Sequence, residues 1–292
     1  MISRHERTEQ ERLDDEHVVR SYCGNASFEY VDSGWTSRVY LVRDGATVLK
    51  FARDRAARDE CRHEIAALRA CEDIHSSVRT PRVIDTGPGN RYVILDGIIG
   101  ETLDRHLADL ATPTLKTIGR TLGNFLSELH RCEMEAAARI TVADEIVEFH
   151  KKFEIARPAL ESHFNDEEMR RICAFSFEEF PTTMRQLSGD SRLCHGDLGP
   201  WNMILTPDGA LGIIDFGDVA RRDPSIDFAG LRNATLTSAA LDRYGADARF
   251  RAKVDIRSRA FHIADLPFYA GLGNNHGLNA CLESVRTCVV RQ

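Results

Sequence analysis

The sequence predicts an α+β fold with two lobes, a small β-rich N-terminal lobe and a large, mainly helical C-terminal lobe. Three β-like runs separated by turns stand early in the chain, whereas a helical pattern of apolar residues dominates after residue 103. Gly97 and Gly100 lie between these two regions and interrupt both patterns. We therefore expect an N-terminal lobe at 1–95, a hinge at 96–100 and a helical lobe at 101–292.

The N-terminal lobe is predicted to be a small sheet that carries one helix. Asp44-Gly45 favours a hairpin turn between the second and third strands, and residues 87–90 form a second turn signal. The predicted elements are a polar helix at 6–20, strands at 28–33, 37–43 and 47–52, a helix at 55–71, and strands at 82–84 and 91–95.

The C-terminal lobe is predicted to be helical with one small inserted β hairpin. Between 114 and 131 the apolar residues fall on one stripe, as expected of a helix that buries one face. Further helices are expected at about 143–187 and from 225 to the end. The β-like runs at 193–205 and 211–214 interrupt them.

Composition narrows the class of protein. The 292 residues are 42% hydrophobic and 28% charged, and no apolar run approaches the length needed to span a bilayer. We expect a cytoplasmic monomer with no membrane partner. The net charge is −7, which argues against nucleic acid as a partner. Eight scattered cysteines with no C-x-x-C pair predict reduced thiols.

The strongest chemical signal is the segment His195-Gly196-Asp197, followed by Asn202. An Asp, four residues and an Asn match the catalytic-loop spacing of protein kinases. In that arrangement the Asp accepts or orients the proton of the attacking hydroxyl, and the Asn oxygen reaches a metal ion beside the phosphoryl group. We therefore predict Asp197 as catalytic base and Asn202 as a metal ligand.

A second acidic residue ends an apolar strand. Ile213-Ile214 precede Asp215, and Phe216-Gly217 follow it. A carboxylate oxygen at that point is a suitable ligand for Mg²⁺. The two motifs in this order, with a strand, a turn and a strand between them, are far more specific than either alone. Asp215 is therefore predicted to be the second metal ligand.

The N-terminal lobe should supply a lysine for the nucleotide phosphates. Lys50 stands in mid-strand among apolar residues, where a bare ammonium would be costly to bury. Glu64, in the following helix, is its predicted partner, although Glu60 lies one turn away. Between the first two strands, backbone amides and the hydroxyls of Thr36 and Ser37 are expected to hold phosphate oxygens, with an ordinary hairpin turn as the alternative.

Together these motifs resemble the aminoglycoside phosphotransferase family, the antibiotic-kinase branch of the protein-kinase-like fold. The resemblance rests on Lys50, Glu64, His195 to Asn202, Asp215-Phe216-Gly217 and the run Asp223-Pro224-Ser225-Ile226-Asp227-Phe228-Ala229. It covers nearly the whole chain and implies ATP or GTP, Mg²⁺ and phosphorylation of an antibiotic hydroxyl. By position it implies that His195 supports the catalytic loop, that Asp227 braces it, and that backbone groups near Leu95 and Gly97 bind the nucleotide base.

The sequence leaves more than one chemical class open for the acceptor molecule. Aminoglycoside-binding members of the resembled family carry acids after the metal segment, whereas residues 228–241 here contain none. The alternative source of a pocket for a cationic acceptor is a set of acids in the middle helices, Asp144, Glu145, Glu148, Asp166, Glu167 and Glu168. A charged, solvated helix face is the favoured interpretation for most of them. We expect a small, cationic acceptor. A metabolic kinase for a sugar, amino alcohol or amino acid, and a nucleotide-binding regulator without turnover, remain as alternatives.

Overall fold

The computed structural model describes residues 9–31, 36–43, 45–72, 74, 76–135, 137–187 and 189–291. The chain divides into two compact units, each assembled from separate stretches. The first unit contains 1–111, 127–137 and 200–219, and the second contains 112–126, 138–199 and 220–292. The lobe boundaries expected at 95 and 100 stay a prediction.

Within the described residues most strands lie before residue 103, and helices predominate after it. The strands are β1 Phe28–Val31, β2 Ser37–Val42, β3 Thr47–Ala52, β4 Arg82–Thr86, β5 Tyr92–Asp96, β6 Glu101–Thr102, β7 Arg192–Cys194, β8 Met203–Leu205, β9 Leu211–Ile213 and β10 Ala220–Arg222. The helices are α1 Glu9–Cys23, α2 Arg55–Ala70, α3 Thr112–Leu129, α4 Val142–His163, α5 Asp166–Ala174, α6 Phe180–Gln186, α7 Ile226–Ala229, α8 Ala234–Tyr244, α9 Ala248–Ala264, α10 Leu266–Gly271 and α11 Asn275–Val285.

An antiparallel sheet forms the centre of the first unit, with the strand order β1-β2-β3-β5-β4. Alternation along β3 sends Leu49 and Phe51 into an apolar cluster with Tyr40 and with Val19 of α1. Because side chains alternate across a strand, Lys50 lies on the opposite face of the sheet. The strand thus buries one face in the core and presents a single ammonium on the other.

Helix α2 begins where Asp54 caps it, with the Asp54 carboxylate accepting a hydrogen bond from the Ala57 amide at 2.9 Å. Its buried stripe follows helical spacing and consists of Ala57, Cys61, Glu64, Ile65, Ala67 and Leu68. Glu64 is the one acid in this stripe. Burying a carboxylate requires a charged partner, so its position already implies an ion pair.

A second small sheet of the first unit has the order β6-β8-β9 and contains the predicted hairpin. Arg79 anchors it, since the Arg79 amide donates to the Leu211 carbonyl and the Arg79 carbonyl accepts from the Ile213 amide. Gly209 takes a φ of 81° in the turn between β8 and β9, a conformation that favours glycine. This hairpin delivers the chain to Asp215.

The second unit is helical around an apolar cluster from α4, α5, α6, α9, α10 and α11. Strands β7 and β10 pair antiparallel, aligning Cys194 with Ala220. Gly119 of α3 packs so closely on α8 that a Cβ there would lie 2.5 Å from the Leu236 carbonyl oxygen. Within the described residues, no helix is both long and apolar enough to cross a membrane.

Element positions differ from the prediction mainly at ends and breaks. Strand β4 continues to Thr86 through an irregularity between Val83 and Asp85, which an alternation pattern does not reveal. Strand β10 was not predicted, because three residues are too few for a periodic signal. The region 143–187 contains α4, α5, a π-helical turn at Phe175–Glu179 and α6.

Candidate active site

The Lys50 ammonium and the Glu64 carboxylate form a tight ion pair in the first unit. Lys50 Nζ lies 2.7 Å from both Glu64 Oε1 and Glu64 Oε2. Burial alone would lower the pKa of Lys50, but the charges of Glu64 and Asp215 outweigh it and raise the pKa above its ordinary value. Lys50 is therefore always protonated at neutral pH. Glu64, and not Glu60, is its partner on α2.

Asp215 approaches the same ammonium from the end of β9. Its Oδ1 lies 3.0 Å from Lys50 Nζ, and 53% of its side chain is exposed. The backbone of Asp215 is left-handed, with φ 68° and ψ 70°, which is unfavourable for a residue other than glycine. Strain of this kind persists where the surrounding structure enforces it, and it is concentrated at functional sites. Here it turns a carboxylate toward solvent beside a fixed cation.

Asn202 is coupled to the same segment through the backbone. It ends a short 3₁₀ helix, Pro200–Asn202, and is buried. Its carbonyl oxygen accepts a hydrogen bond of 3.0 Å from the Ile214 amide, one residue before Asp215. Both side chains offer oxygen donors, one amide and one carboxylate, and Mg²⁺ prefers such ligands. This donor set fits the metal that the sequence predicts.

The residues predicted to bind the nucleotide base lie at the end of β5. Leu95 is buried and aligned with Val48 on β3. The Gly97 amide donates to the Ala46 carbonyl at 3.0 Å, and a Cβ at Gly97 would lie 2.0 Å from the Gly45 oxygen. A larger residue at 97 would therefore push these two segments apart.

Ser37 is the first residue of β2 and is buried. It is aligned with Ala52 at the end of β3. The turn before it, residues 32–35, lies outside the described residues. Thr36 borders that turn, and its carbonyl accepts a hydrogen bond from the Arg53 amide at 2.9 Å. The expected phosphate-binding role of this region stays a prediction.

The loop that contains Asp197 is held by Asp227 in the second unit. The Asp227 carboxylate accepts hydrogen bonds of 2.9 Å from the backbone amides of both His195 and Gly196. His195 and Asp227 are fully buried, whereas Asp197 is partly exposed. Gly196 has a φ of 89°, which turns the chain immediately before Asp197. The loop backbone is thus fixed on one side of Asp197.

Gly230 fixes the other side of the loop. A Cβ at Gly230 would lie 2.6 Å from the Leu198 carbonyl oxygen, so the two backbones are in direct contact. Leu198 itself is buried. Asp197 therefore stands between two anchored stretches of backbone, and its carboxylate is presented by a rigid loop. Pre-positioning of this kind is what a catalytic base requires.

Sequence reasoning missed a buried polar network in the second unit. Asp223 accepts hydrogen bonds from the Ser225 hydroxyl and from Lys253 Nζ, both at 2.7 Å. Arg257 Nε donates to the Ser225 hydroxyl, and Arg257 Nη2 lies 2.6 Å from Glu145 Oε2. The one available signal was the four-residue spacing of Lys253 and Arg257 on a single helix. This network ties α4 and α9 to the segment that ends in Asp227.

The predicted site residues fall into two groups. Lys50, Glu64 and Asp215 meet directly in the first unit, which also contains Ser37, Leu95, Gly97 and Asn202. His195 and Asp197 belong to the second unit.

Comparisons with known proteins identify the family and the fold of the chain. Residues 27–262 match the family model described as the phosphotransferase enzyme family. No curated protein matches the chain.

Several solved structures share the fold. The GDP and kanamycin complex of APH(2")-IIIa superposes with a TM-score of 0.75 at 20% identity, covering 94% of this chain and 98% of that one. The gentamicin complex of APH(2")-IIa has a TM-score of 0.69 at 20% identity, covering 93% and 95%. Macrolide 2'-phosphotransferase MphH from Brachybacterium faecium has a TM-score of 0.62 at 16% identity, covering 94% and 98%.

Proposed function

The chain belongs to the phosphotransferase enzyme family, and from that membership we propose that it transfers the γ-phosphate of ATP or GTP to a hydroxyl of an amine-bearing antibiotic. One observation carries the proposal. The ammonium of Lys50, whose side chain is 15% exposed, is held by Glu64 and also contacts Asp215. Asp215 follows Ile214, whose amide donates to the Asn202 carbonyl. This group combines a phosphate-binding cation with two oxygen donors.

Lys50 binds the nucleotide phosphates in this proposal. The Lys50 ammonium contacts the carboxylates of Glu64 and Asp215. A bound phosphate chain would contact the ammonium on the side where the exposed carboxylate of Asp215 lies. Glu64 keeps the ammonium oriented throughout. A fixed positive charge at this point stabilises the negative charge that redistributes over the phosphoryl oxygens.

Asn202 and Asp215 would hold Mg²⁺, whose positive charge neutralises the phosphate oxygens when it is bound. The amide of Asn202 brings no charge, whereas Asp215 brings one. The hydrogen bond between the Asn202 carbonyl and the Ile214 amide keeps the two side chains on neighbouring backbone. These residues orient the terminal phosphate toward the acceptor.

Asp197 receives the proton of the acceptor hydroxyl. Its loop is anchored by Asp227 at His195 and Gly196 and by Gly230 at Leu198, so the carboxylate need not be organised during the reaction. Positioned general bases contribute about 10²–10⁴-fold to rate. His195 acts indirectly, as a buried residue that supports the loop.

The acceptor class is supported by the solved relatives. One similar structure was solved with kanamycin, another with gentamicin, and a third is named a macrolide 2'-phosphotransferase. Both antibiotic classes carry amines and hydroxyls. We further expect the protein to act as a monomer in the cytoplasm.

A metabolic kinase for a sugar, amino alcohol or amino acid is the second candidate. The absence of acids from residues 228–241 favours it, because a polyamine would normally be met by several carboxylates. A regulator without turnover is disfavoured, because Lys50, Asp197, Asn202 and Asp215 are all present.

A panel screen of nucleotide consumption tests the proposal. ATP and GTP are each offered with aminoglycosides, macrolides, sugars, amino alcohols and amino acids, and the products are identified by mass. Asp197→Asn serves as the inactive control. Phosphorylation of an antibiotic supports the proposal, whereas selective phosphorylation of a metabolite replaces it with the second candidate.

A further inference from the structure

Several acids of the second unit are already paired with cations of the same unit. Glu145 binds Arg257, Glu168 binds Arg286, and Glu167 lies 2.6 Å from Arg170. Asp265 binds Arg232. A carboxylate engaged by an internal arginine attracts an incoming ammonium much less than a solvated carboxylate does. These side chains therefore offer little to a polyamine.

Arg232 stands close to the catalytic loop. It follows Gly230, whose backbone touches the carbonyl of Leu198, the residue after Asp197. Two residues of chain span at most about 7 Å, so the Arg232 backbone lies within the reach of one small-molecule acceptor from that loop. Arg232 also has a φ of 53°, an unfavourable conformation for a residue other than glycine. The Arg232 backbone thus lies near the loop, and its guanidinium reaches Asp265 and Tyr269.

Arg232 belongs to a cluster of polar side chains in the second unit. Its guanidinium binds the Asp265 carboxylate and donates to the Tyr269 hydroxyl at 3.2 Å. Burial raises the pKa of Asp265, although the positive charges of Arg232 and Lys152 oppose this shift. Burial and the charge of Arg232 lower the pKa of His262 to about 4, so this imidazole is neutral at neutral pH. The carboxylate of Asp265 is therefore already engaged by the guanidinium of Arg232.

Apolar surface borders the same cluster. Phe268, next to Tyr269 on α10, is 41% exposed, and Leu272 just beyond that helix is 43% exposed. The rings of Phe268 and Tyr269 meet edge to face, with centroids 5.1 Å apart. An acceptor that contacts Arg232 and Tyr269 can therefore also bury apolar area against Phe268.

We propose that Arg232 is a specificity-determining residue that disfavours polyamine acceptors and favours a hydroxylated acceptor with an apolar surface and at most one amine. This inference rests on the proposed function and narrows its acceptor class. The guanidinium occupies the carboxylate of Asp265, where an acceptor ammonium would otherwise bind, and it repels further amines. The phenol of Tyr269 and the ring of Phe268 provide neutral contacts.

Calorimetric binding tests this inference separately from turnover. The full-length protein is titrated with kanamycin, as a polyamine, and with a macrolide that carries one dimethylamino group. We expect the wild type to bind the macrolide at least about tenfold more tightly. Arg232→Gln, which keeps a polar contact for Tyr269 but removes the charge, should tighten kanamycin binding roughly three- to tenfold, as expected for one like charge at a separation of several ångströms.

Two further variants control the measurement. Arg232→Lys keeps the charge and should leave kanamycin binding weak. Arg170→Gln removes an equal charge from an exposed ion pair on α5 and should change neither Kd. The inference is overturned if Arg232→Gln and Arg170→Gln have the same Kd for kanamycin. It is also overturned if the wild type binds kanamycin more tightly than the macrolide. Failure of every antibiotic in the turnover panel would reject the proposed function, while the Kd ratios still decide the role of Arg232.

Discussion

Lys50 and Asp215 are 165 positions apart in the chain, yet the Lys50 ammonium lies 3.0 Å from Asp215 Oδ1. The strand that carries Lys50 and the hairpin that delivers Asp215 therefore converge on one point. Glu64 holds the other side of the ammonium. In the proposed complex with nucleotide and metal, Asp215 would leave Lys50 without exposing it as an unpaired charge, because Glu64 would remain.

Replacing Lys50 should impair both nucleotide binding and turnover. Lys50→Ala removes the charge that contacts the phosphates and leaves Glu64 buried without its cation. We expect a higher KM for the nucleotide and a lower kcat, measured by steady-state kinetics with varied nucleotide. Lys151→Ala, an exposed lysine on α4, is the matched control. Unchanged kinetics in Lys50→Ala would remove Lys50 from the site.

Replacing Asp197 should affect chemistry and spare nucleotide binding. Asp197→Asn preserves shape but cannot accept a proton, so kcat should fall about 10²–10⁴-fold. Nucleotide affinity, measured by calorimetry, should stay within a few-fold of wild type. Asp190 is a highly exposed acid seven positions earlier, and Asp190→Asn should change neither kcat nor the nucleotide affinity. A variant at Asp197 with near-normal turnover would require a different base.

The two predicted metal ligands should differ in severity. Asp215→Ala removes a charged oxygen donor, whereas Asn202→Ala removes a neutral one. Nucleotide binding titrated against Mg²⁺ should therefore be lost more completely in Asp215→Ala. Asp208→Ala, in the exposed turn of the same hairpin, controls for general damage to the first unit. Small, equal effects at 202 and 215 would show that the residues do not share a metal.

Asp227 should matter although it does not touch the reacting atoms. Both carboxylate oxygens of Asp227 accept hydrogen bonds from backbone amides. Asp227→Asn replaces one of these oxygens with an NH₂ group, so that two donors would face each other. We expect a lower kcat with little change in nucleotide KM, and a loss of stability of about 1–3 kcal/mol. Urea unfolding and kinetics on the same preparation separate the two effects. Reduced stability with normal kcat would limit Asp227 to a structural role.

Acidification should destabilise the protein through His262. Its pKa is about 4 when folded and about 6.5 when unfolded, so the unfolded state binds the extra proton between these values. The free energy of unfolding should therefore be fully present above pH 6.5 and fall as pH drops toward 4, by at most about 3 kcal/mol. His262→Gln should flatten this part of the profile. Urea unfolding at a series of pH values measures the slope.

The reactive residues could be predicted because their chemistry is local in sequence. The spacing of Asp197 and Asn202, and the apolar strand before Asp215, carried enough information to predict the family and the fold class, and both are confirmed. Nucleotide-dependent phosphotransfer is likewise what the family comparison supports. The individual roles of these residues stay predictions until kinetics are measured.

Most long-range pairings could not be predicted from the sequence. Glu64 was predicted as the partner of Lys50 although Glu60 lies one turn away, and the buried stripe of α2 contains Glu64 and not Glu60. The same applies to Glu145, which was an acceptor-site candidate until its contact with Arg257 was visible. Asp265 likewise depends on Arg232, 33 positions away. Such contacts depend on how the helices pack against one another. The pattern of charges along the sequence does not encode that packing.

The contact between Gly230 and Leu198 has a consequence for engineering. Any side chain at 230 would collide with a backbone oxygen one residue from Asp197, so libraries that aim to change the acceptor should leave this position untouched. Diversity can instead be introduced at Arg232 and in α10, where side chains reach solvent. Residue 230 thus separates a stretch whose backbone packing leaves no room for added atoms from a stretch whose side chains can be exchanged.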